Sequence, residues 1–435
     1  MSLRKMLLCA LCPLWLVFLL AAAPPTTGPS SREIEALIGQ LSSPDEKVRQ
    51  AAQDKLISMG DEARTALEAY VRARSAAEAA LQKIDTNKVA GATLLSLDVK
   101  GATPENLIAE ISKQTGFDIR AYHESVWQQA TPTPVTLKVD QQPFWTVMRE
   151  ACSKSGLAIY QGGYADRRMR VMAASQMGQN PMKCPAVISG AFMITVNSLQ
   201  RTNSVDMANP QNISRSMYLN MMTFCEPKVR IVQYSYVPEI EQAVDDKGNS
   251  LVSTMRGGGP SRQMTSSRGV AWQCNVPLLC PAEVGQKIAK LSGKMRFVVQ
   301  TRSETLEIPD VPKAKDVTKT VGGHRVTLKE FRKLGERQYQ LTLIMYRDGM
   351  EQQQFYEMVN NPNIRLSDAD GHDFVFNGAN SGRNTNDSYE ARLMFGMRGE
   401  PGEAALGEPA TLSWEIPTAV QEITIPFEFS DLPLP

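Results

Sequence analysis

Apolar positions change their spacing along the chain, from a helical period near the N-terminus to strand-like alternation after about residue 185. Between residues 31 and 90 they recur at i, i+3, i+4 and i+7, which predicts amphipathic helices. Ser43-Pro44 is expected to cap a helix that ends at Gly60, and Asp61-Glu62 to open the next one. The inner faces of these helices are predicted to contain Ile34, Leu37, Ile38, Leu41, Val48, Ala51, Ala52, Leu56, Ala63, Ala66, Leu67, Tyr70 and Val71.

The segment from Leu41 to Gly60 resembles a HEAT repeat through its Pro-Asp opening, its Val48-Arg49 pair and the adjacent alanines Ala51 and Ala52. The resemblance implies a helical-repeat fold, and solenoids of this kind need about three repeats to be stable alone. We therefore expect a HEAT-like segment over residues 31–90 that packs on something else. A plain amphipathic helical hairpin is the alternative interpretation.

A strand and helix unit occurs twice between residues 91 and 175. In each copy, alternating apolar residues precede a helix that is opened by a proline, Pro104 or Pro143, and ended by a glycine, Gly116 or Gly156. A short strand follows the second copy. Two βαβ-type units of this size predict a compact α+β domain.

The helix-end glycines and alternating strands of this domain resemble the short N-terminal domain of secretins and TonB-dependent receptors, known as STN. In that family the domain is an interaction and signalling unit without catalytic residues. The resemblance therefore implies a role in recognition for residues 91–175.

From about residue 185 onward, alternation predicts antiparallel strands, and a similar series of strands recurs after the linker at residues 309–315. Asp245-Asp-Lys-Gly248 and Asp368-Ala-Asp-Gly371 follow strands at equivalent places in the two series. The pattern resembles tandem immunoglobulin-like sandwiches. We expect one antiparallel β-sandwich over residues 183–310 and a second, related by duplication, over residues 317–435.

The remaining features are two predicted loops, a group of arginines and the tryptophans. Residues 257–260 and 377–387 are expected to be long loops. Arg167, Arg168 and Arg170 form a basic patch that either meets an acidic partner or a phospholipid headgroup, or is a solvated face. Four tryptophans are expected to anchor cores, and an exposed carbohydrate-binding stripe is the alternative: Trp127, Trp145, Trp272 and Trp414.

The N-terminus has the pattern of an export signal, because Arg4 and Lys5 precede an apolar run from Met6 to Ala23. Residues 1–23 are predicted to be a signal peptide. An uncleaved membrane anchor is the alternative, since the run is long and Pro24 hinders cleavage. Either interpretation places the rest of the chain outside the cytoplasm, in the periplasm or at the cell surface.

Seven cysteines are present, and Cys9 and Cys12 lie in the apolar run, which leaves Cys152, Cys184, Cys225, Cys274 and Cys280. Disulfides persist outside the cytoplasm, and a bridge between Cys184 and Cys280 is one hypothesis. Burial as small hydrophobic residues is the alternative.

Asp368, Asp370 and Asp373 are candidate calcium ligands, because carboxylate oxygens are the hard ligands that this ion prefers. The order departs from an EF-hand, and Asp-Gly between strands is also the ordinary chemistry of a hairpin turn. A turn is the favoured interpretation. No cofactor is expected.

Charge and histidine content narrow the function further. Lys+Arg is 47 against Asp+Glu 46, a net charge of +1, which argues against nucleic acid as a partner. The three histidines, His123, His324 and His372, lie far apart in sequence, and no catalytic motif accompanies them. We expect an exported, non-enzymatic interaction or scaffold protein of the bacterial cell envelope. Its expected partners are envelope proteins, with a membrane only through an uncleaved N-terminal segment. A binding module for envelope polysaccharide is the alternative, and an unrecognised hydrolase is a third.

Overall fold

The structure is a computed structural model that describes residues 29–130, 134–160, 169–253, 262–264, 270–336, 338–348, 363–396 and 406–435. The chain divides into two compact units, residues 1–81 and 82–435. Strands account for 53% of the chain and helices for 25%, so the fold is mostly β, with several antiparallel sheets.

The first unit is helical, and its third helix continues into the second unit. The helices are α1 (Pro29–Gln40), α2 (Glu46–Met59) and α3 (Asp61–Ala90). No helix among the described residues is long and apolar enough to cross a membrane.

Helix α2 is capped by Asp45, whose carboxylate accepts a hydrogen bond from the N–H of Lys47 at 2.8 Å. The prediction that Ser43-Pro44 opens this helix was therefore wrong by two residues. An aspartate cap satisfies a first-turn N–H and also places a negative charge at the positive end of the helix dipole. Gly60 ends the helix with a φ of +57°, as predicted.

The helical unit has a small core of Ile34, Ile38, Leu56 and Ala63. Burial of Val71 was predicted, but its side chain is 60% exposed. A helical period identifies which face of a helix is apolar and does not show whether another element covers that face.

The α+β segment repeats the order strand, helix, strand. Its elements are β1 (Leu94–Ala102), α4 (Pro104–Thr115), β2 (Ile119–Ala121), α5 (Val126–Gln129), β3 (Val135–Pro143), α6 (Phe144–Ser155), β4 (Leu157–Ile159) and β5 (Met169–Ala173). Helices α4 and α6 both end at a left-handed glycine, with φ of +69° at Gly116 and +67° at Gly156.

The sequence predicted two βαβ-type units, but the two copies do not form βαβ crossovers within one sheet. Strand β1 pairs with β3 in an antiparallel two-stranded sheet, and the short strands form a separate sheet in the order β2-β5-β4. The sequence order of a βαβ unit was correct, but the pairing of its strands is a tertiary choice that periodicity does not encode.

The rest of the second unit is built of strands. The first series is β6 (Ala186–Ser189), β7 (Phe192–Asp206), β8 (Asn209–Cys225), β9 (Arg230–Ser235), β10 (Glu239–Asp245), β11 (Arg262–Met264), β12 (Ala271–Leu278) and β13 (Lys287–Ile308). The second is β14 (Val317–Val321), β15 (His324–Gly335), β16 (Gln338–Tyr346), β17 (Asn363–Asp368), β18 (Val375–Asn384), β19 (Ser388–Gly396) and β20 (Pro409–Pro433).

These strands form three sheets. The central sheet has the order β11-β9-β13-β20-β17, with β10 also paired to β13. The first outer sheet has the order β12-β8-β7-β6, and the second has the order β14-β15-β16-β19-β18. Each outer sheet contributes to a separate apolar core with a different half of the central sheet.

The central ladder between β13 and β20 has an internal two-fold relation. If the loops after Asp245 and Asp368 are taken as equivalent, Gly285 before β13 corresponds to Gly407 before β20. Counted from these glycines, Lys290 of β13 corresponds to Leu412 of β20, so the pair Lys290 with Ser430 corresponds to the pair Ile308 with Leu412. Pairs on the two sides of the ladder match in this way around a centre at Val299 with Gln421. Strands β13 and β20 pair antiparallel along nearly their whole length, and the duplication of the two series stays a prediction.

This ladder crosses the predicted domain boundary. The last half of β20, with Ile423, Phe427 and Phe429, lies in the core formed by the first outer sheet. Leu306 and Ile308 of β13 lie in the core of the second outer sheet. The two predicted regions, 183–310 and 317–435, therefore exchange the second halves of their last strands.

The first outer sheet is covered on both faces. Phe192 and Ile194 point into the core shared with the central sheet, and Met193 packs in the core of the α+β segment. Burial on both faces accounts for the unbroken apolar run at the start of β7.

A buried carboxylate ties the end of α3 to this sheet. Glu226 is fully buried, and it accepts hydrogen bonds from the backbone N–H and the hydroxyl of Thr93 at 2.9 and 2.6 Å. Its carboxylate also lies 3.2 Å from the ammonium of Lys228, which donates to the carbonyl of Gly91. The charge is thus both paired and hydrogen-bonded, as burial requires.

One predicted loop is wrong. Residues 377–387 were expected to be irregular, but Val375–Asn384 form β18, which pairs with β19 through two register shifts. Its side chains after Phe376 are mostly polar and exposed, which hides the strand from a hydrophobicity pattern, and the strand is held by backbone pairing with β19 and by the packing of Phe376 against the core. The other predicted loop, residues 257–260, lies outside the described residues.

Candidate functional site

The predicted calcium residues lie in a loop organised by Asp368, which ends β17 and is 4% exposed. Its Oδ1 accepts the backbone N–H groups of Asp370 and His372 at 3.0 and 2.8 Å. Its Oδ2 accepts the N–H of Gly407 at 3.0 Å and lies 3.2 Å from Nδ1 of His372. Both oxygens of the carboxylate are already occupied by protein donors.

The loop after β10 repeats this arrangement around Asp245. The N–H groups of Lys247 and Asn249 donate to its Oδ1 at 3.0 and 2.7 Å. The N–H of Gly285 and Nδ2 of Asn249 donate to its Oδ2 at 2.7 and 2.8 Å. The two loops also share a left-handed glycine, with φ of +85° at Gly248 and +84° at Gly371.

Hydrogen bonds set the charge state of both carboxyls. Burial raises the pKa of each, but the donated hydrogen bonds outweigh burial and hold the pKa of Asp245 and of Asp368 below its usual value. Each loop therefore contains an ionised carboxylate that serves as the acceptor of a turn.

The structure brings only part of the predicted calcium set together. Asp368, Asp370 and His372 place ligand atoms within 4.8 Å of one another. Asp373 forms an ion pair with Arg365 at 3.0 Å instead. The equivalent loop after β10 has Asn249 where this loop has His372. Both the N–H and the Nδ2 of Asn249 donate hydrogen bonds to Asp245 and hold that loop in the same shape, so the geometry favours the turn interpretation.

The five cysteines outside the N-terminal run are free thiols in the structure. Burial raises the pKa of Cys152 and of Cys274 to about 12, which leaves these thiols protonated and unreactive at neutral pH. Cys184 and Cys280 are half-buried. The bridge between them stays a prediction.

Most of the tryptophans are core residues. Trp145, Trp414 and Trp272 are 0%, 1% and 7% exposed, and Trp127 is half-buried against the core of the α+β segment. They do not supply the exposed stripe that the carbohydrate alternative requires. In the predicted basic patch, Arg170 is buried, and Arg167 and Arg168 lie outside the described residues.

The helical unit contains an open groove that the sequence did not predict, with a volume of about 690 Å³. One wall is a face of α2 and the other is a face of α3. Ile57 and Val71 are 68% and 60% exposed along it, which is high for large apolar side chains. The groove is lined by Leu41, Gln53, Leu56, Ile57, Gly60, Arg64, Leu67, Glu68, Val71 and Arg72.

A signal for this groove was present in the helical period. Positions 64, 67, 68, 71 and 72 follow one face of α3, and positions 53, 56 and 57 follow one face of α2, which ends at Gly60. Leu56, Leu67 and Val71 were predicted to lie in a core, whereas among the described residues no element covers this face at Val71.

Comparison of the chain with protein-family models, with curated proteins and with solved structures finds no match in any of the three.

Proposed function

We propose that the chain is an exported, non-enzymatic interaction protein of the bacterial cell envelope, and that its helical unit binds an amphipathic helix of another envelope protein. The apolar groove between α2 and α3 carries this proposal. The export pattern of residues 1–23 and the resemblances to HEAT and STN modules supply the compartment and the expectation of recognition.

A helix fits the groove because both walls are helix faces of the same periodicity. The lining residues of α3 recur at i, i+3, i+4 and i+7 and those of α2 at i, i+3 and i+4, so the apolar floor runs along the helices. In a helical-repeat protein the next repeat would cover such a face, and a partner helix takes that place here.

The charges at the rim favour a partner helix with acidic residues. Glu68 is paired with Arg64, with Nε and Oε1 3.1 Å apart, and the Nε of Arg72 donates to the Glu68 carbonyl at 3.3 Å. A backbone carbonyl has no net charge, so this hydrogen bond leaves a full positive charge on Arg72 at the rim. The rim has two cations and one anion, and rim charges of this kind set specificity and association rate more than affinity.

A photo-crosslinking amino acid at position 57 tests the proposal in living cells. The expected product joins the chain to an envelope protein, through a peptide whose apolar residues have helical spacing and which contains Asp or Glu. Val71→Asp places a charge on the groove floor and is expected to remove the product. Ala69→Asp places the same charge on an exposed position of α3 outside the lining residues and is expected to leave it.

The identified peptide is then synthesised and its affinity for the full chain is measured. Arg72→Glu is expected to weaken binding, more at low than at high ionic strength, because rim charges are screened by salt. Equal crosslinking in Val71→Asp and Ala69→Asp, or a crosslinked peptide without helical spacing, would show that the groove is not the docking site.

A further inference from the structure

The middle part of helix α3 is exposed on every side. Each residue from 71 to 84 is exposed, including Val71 and Leu81, whose side chains are 60% and 50% exposed. Helices in proteins owe most of their stability to the packing of an apolar face, and isolated helices are marginal in water. Among the described residues, no element covers this part of α3, so it is open to a partner.

The face of α3 that lines the groove continues into this exposed part. From Val71, which lines the groove, the same face carries Arg74, Glu78 and Leu81, at successive steps of three, four and three residues. Alternating steps of three and four residues are the spacing by which two helices pack along each other. A helix that enters the groove can therefore follow α3 beyond it.

These four residues are complementary to themselves in antiparallel order. If two copies of α3 pack antiparallel about a two-fold axis at the level of position 76, residues equally far before and after that position lie level with each other. Val71 and Leu81 are equally far from it, so each apolar side chain meets an apolar side chain of the other copy. Arg74 and Glu78 are also equally far from it, so opposite charges meet.

The charges select this orientation. Within one chain, Nε of Arg74 lies 2.8 Å from Oε1 of Glu78, and both side chains are exposed. In the antiparallel pair each arginine lies between its own glutamate and that of the other copy, so the four charges alternate around the axis. Parallel helices would instead place Arg74 beside Arg74 and Glu78 beside Glu78. Polar residues along a helix seam fix register and orientation in this way, at some cost in stability.

We propose that the helix which enters the groove is α3 of a second copy of this chain. The inference rests on the proposed function, that the groove binds a helix of an envelope protein, and it names that protein. The uncovered part of α3 has the chemistry expected of the partner, because Leu81 and Ile84 are exposed three residues apart and Glu78 is acidic. Since each copy supplies both a groove and a helix, the contact is isologous and closes as a dimer.

Exchange of the two charges between copies tests the pairing by sedimentation velocity of the full chain. The unaltered chain is expected to dimerise reversibly. Arg74→Glu leaves only glutamates around the axis, and Glu78→Arg leaves only arginines. Each variant alone is expected to weaken self-association by at least about tenfold in dissociation constant. An equimolar mixture of the two variants is expected to associate as the unaltered chain does, because the arginines of one copy then meet the glutamates of the other.

Recovery in the mixture cannot come from a folding defect, because each variant chain is the same in the mixture as alone. An unaltered chain that stays monomeric at every concentration, or a mixture that associates no better than its components, would overturn the proposal.

Photo-crosslinking from position 57 separates this inference from the proposed function. The cells make two full-length copies, of which one carries the crosslinker and the other an affinity tag. The expected product joins position 57 to residues 75–88 of the tagged copy. Leu81→Asp in both copies lies outside the groove lining and is expected to remove this product. Ala76→Asp adds the same charge on the opposite face of α3 and is expected to leave it.

The outcomes distinguish the two ideas. A product with a different protein that persists in Leu81→Asp would overturn the pairing of two copies and leave the groove as a docking site. The absence of any product from position 57 would overturn both.

Discussion

Replacing Asp245 with asparagine is expected to destabilise the β-rich unit strongly while changing almost no volume. The carboxylate accepts four donors, two on each oxygen. An asparagine with its oxygen at the Oδ1 position keeps the two bonds from Lys247 and Asn249. Its amide N–H2 then faces the N–H of Gly285 and the amide of Asn249, which are both donors.

The magnitude follows from those two lost acceptors. Leaving a buried donor without a partner costs roughly 1–3 kcal/mol, and asparagine also removes the charge that strengthens the two remaining bonds. Because Asn249 Nδ2 also donates to the Glu283 carbonyl at 3.0 Å, its loss is the smaller of the two. We expect Asp245→Asn to lower the free energy of unfolding by about 2–4 kcal/mol.

The neighbouring carboxylate provides a matched control. Asp246 is exposed and accepts a single N–H, that of Gln286, at 2.9 Å through Oδ1. An asparagine oxygen replaces that acceptor, so Asp246→Asn is expected to cost well under about 1 kcal/mol. Both variants are measured by urea unfolding, followed by the fluorescence of the buried tryptophans.

The pH dependence gives the sign of the effect independently. The folded-state pKa of Asp245 is lowered, so its contribution is present above the unfolded-state pKa and is lost as pH falls through the folded-state value. The difference between the unaltered chain and Asp245→Asn is therefore expected at pH 7 and should shrink below about pH 4. Equal urea midpoints for Asp245→Asn and Asp246→Asn at pH 7 would refute the reasoning.

Three further predictions follow from single contacts. Gly190→Ala is expected to destabilise more than Gly101→Ala: both glycines have positive φ, but only at Gly190 does an added Cβ collide with the carbonyl of Ala90, so the difference in melting temperature measures that collision alone. Glu226→Ala is expected to cost about 1–3 kcal/mol, since it leaves the partly buried N–H of Thr93 without its acceptor and Lys228 without its counter-charge, and urea unfolding that matches the unaltered chain would contradict this. Calcium and chelator are expected to leave the melting temperature unchanged, because the carboxylate of Asp368 is saturated by protein donors; a rise with calcium would show a bound ion instead.

Elements with local signals were predicted well. Proline at the start and glycine at the end delimit α4, and Gly116 adopts the left-handed conformation that a helix end requires. Alternation placed Phe192 and Ile194 on one face of a strand. These features depend on residues close in sequence, so a pattern of a few positions suffices to predict them.

Features that depend on distant residues were missed or misassigned. Residues 377–384 form a strand because β19 lies beside them, although their side chains are polar and exposed. Val71 lies in a helix as predicted, but its exposure depends on whether any element covers that face. The Asp368 loop was correctly placed after a strand, whereas its saturation depends on Gly407, far along the chain.

The sequence by itself determined the helical and strand periods, the glycines that end α2, α4 and α6, and the likeness of the loops that follow Asp245 and Asp368. Only the tertiary structure decided that the two long strands β13 and β20 pair with each other, that the first outer sheet is buried on both faces, and that no other described residue covers the groove of the helical unit. The physical reason is that backbone propensity and side-chain alternation are local, while strand pairing and burial depend on surfaces that meet only after the chain has folded.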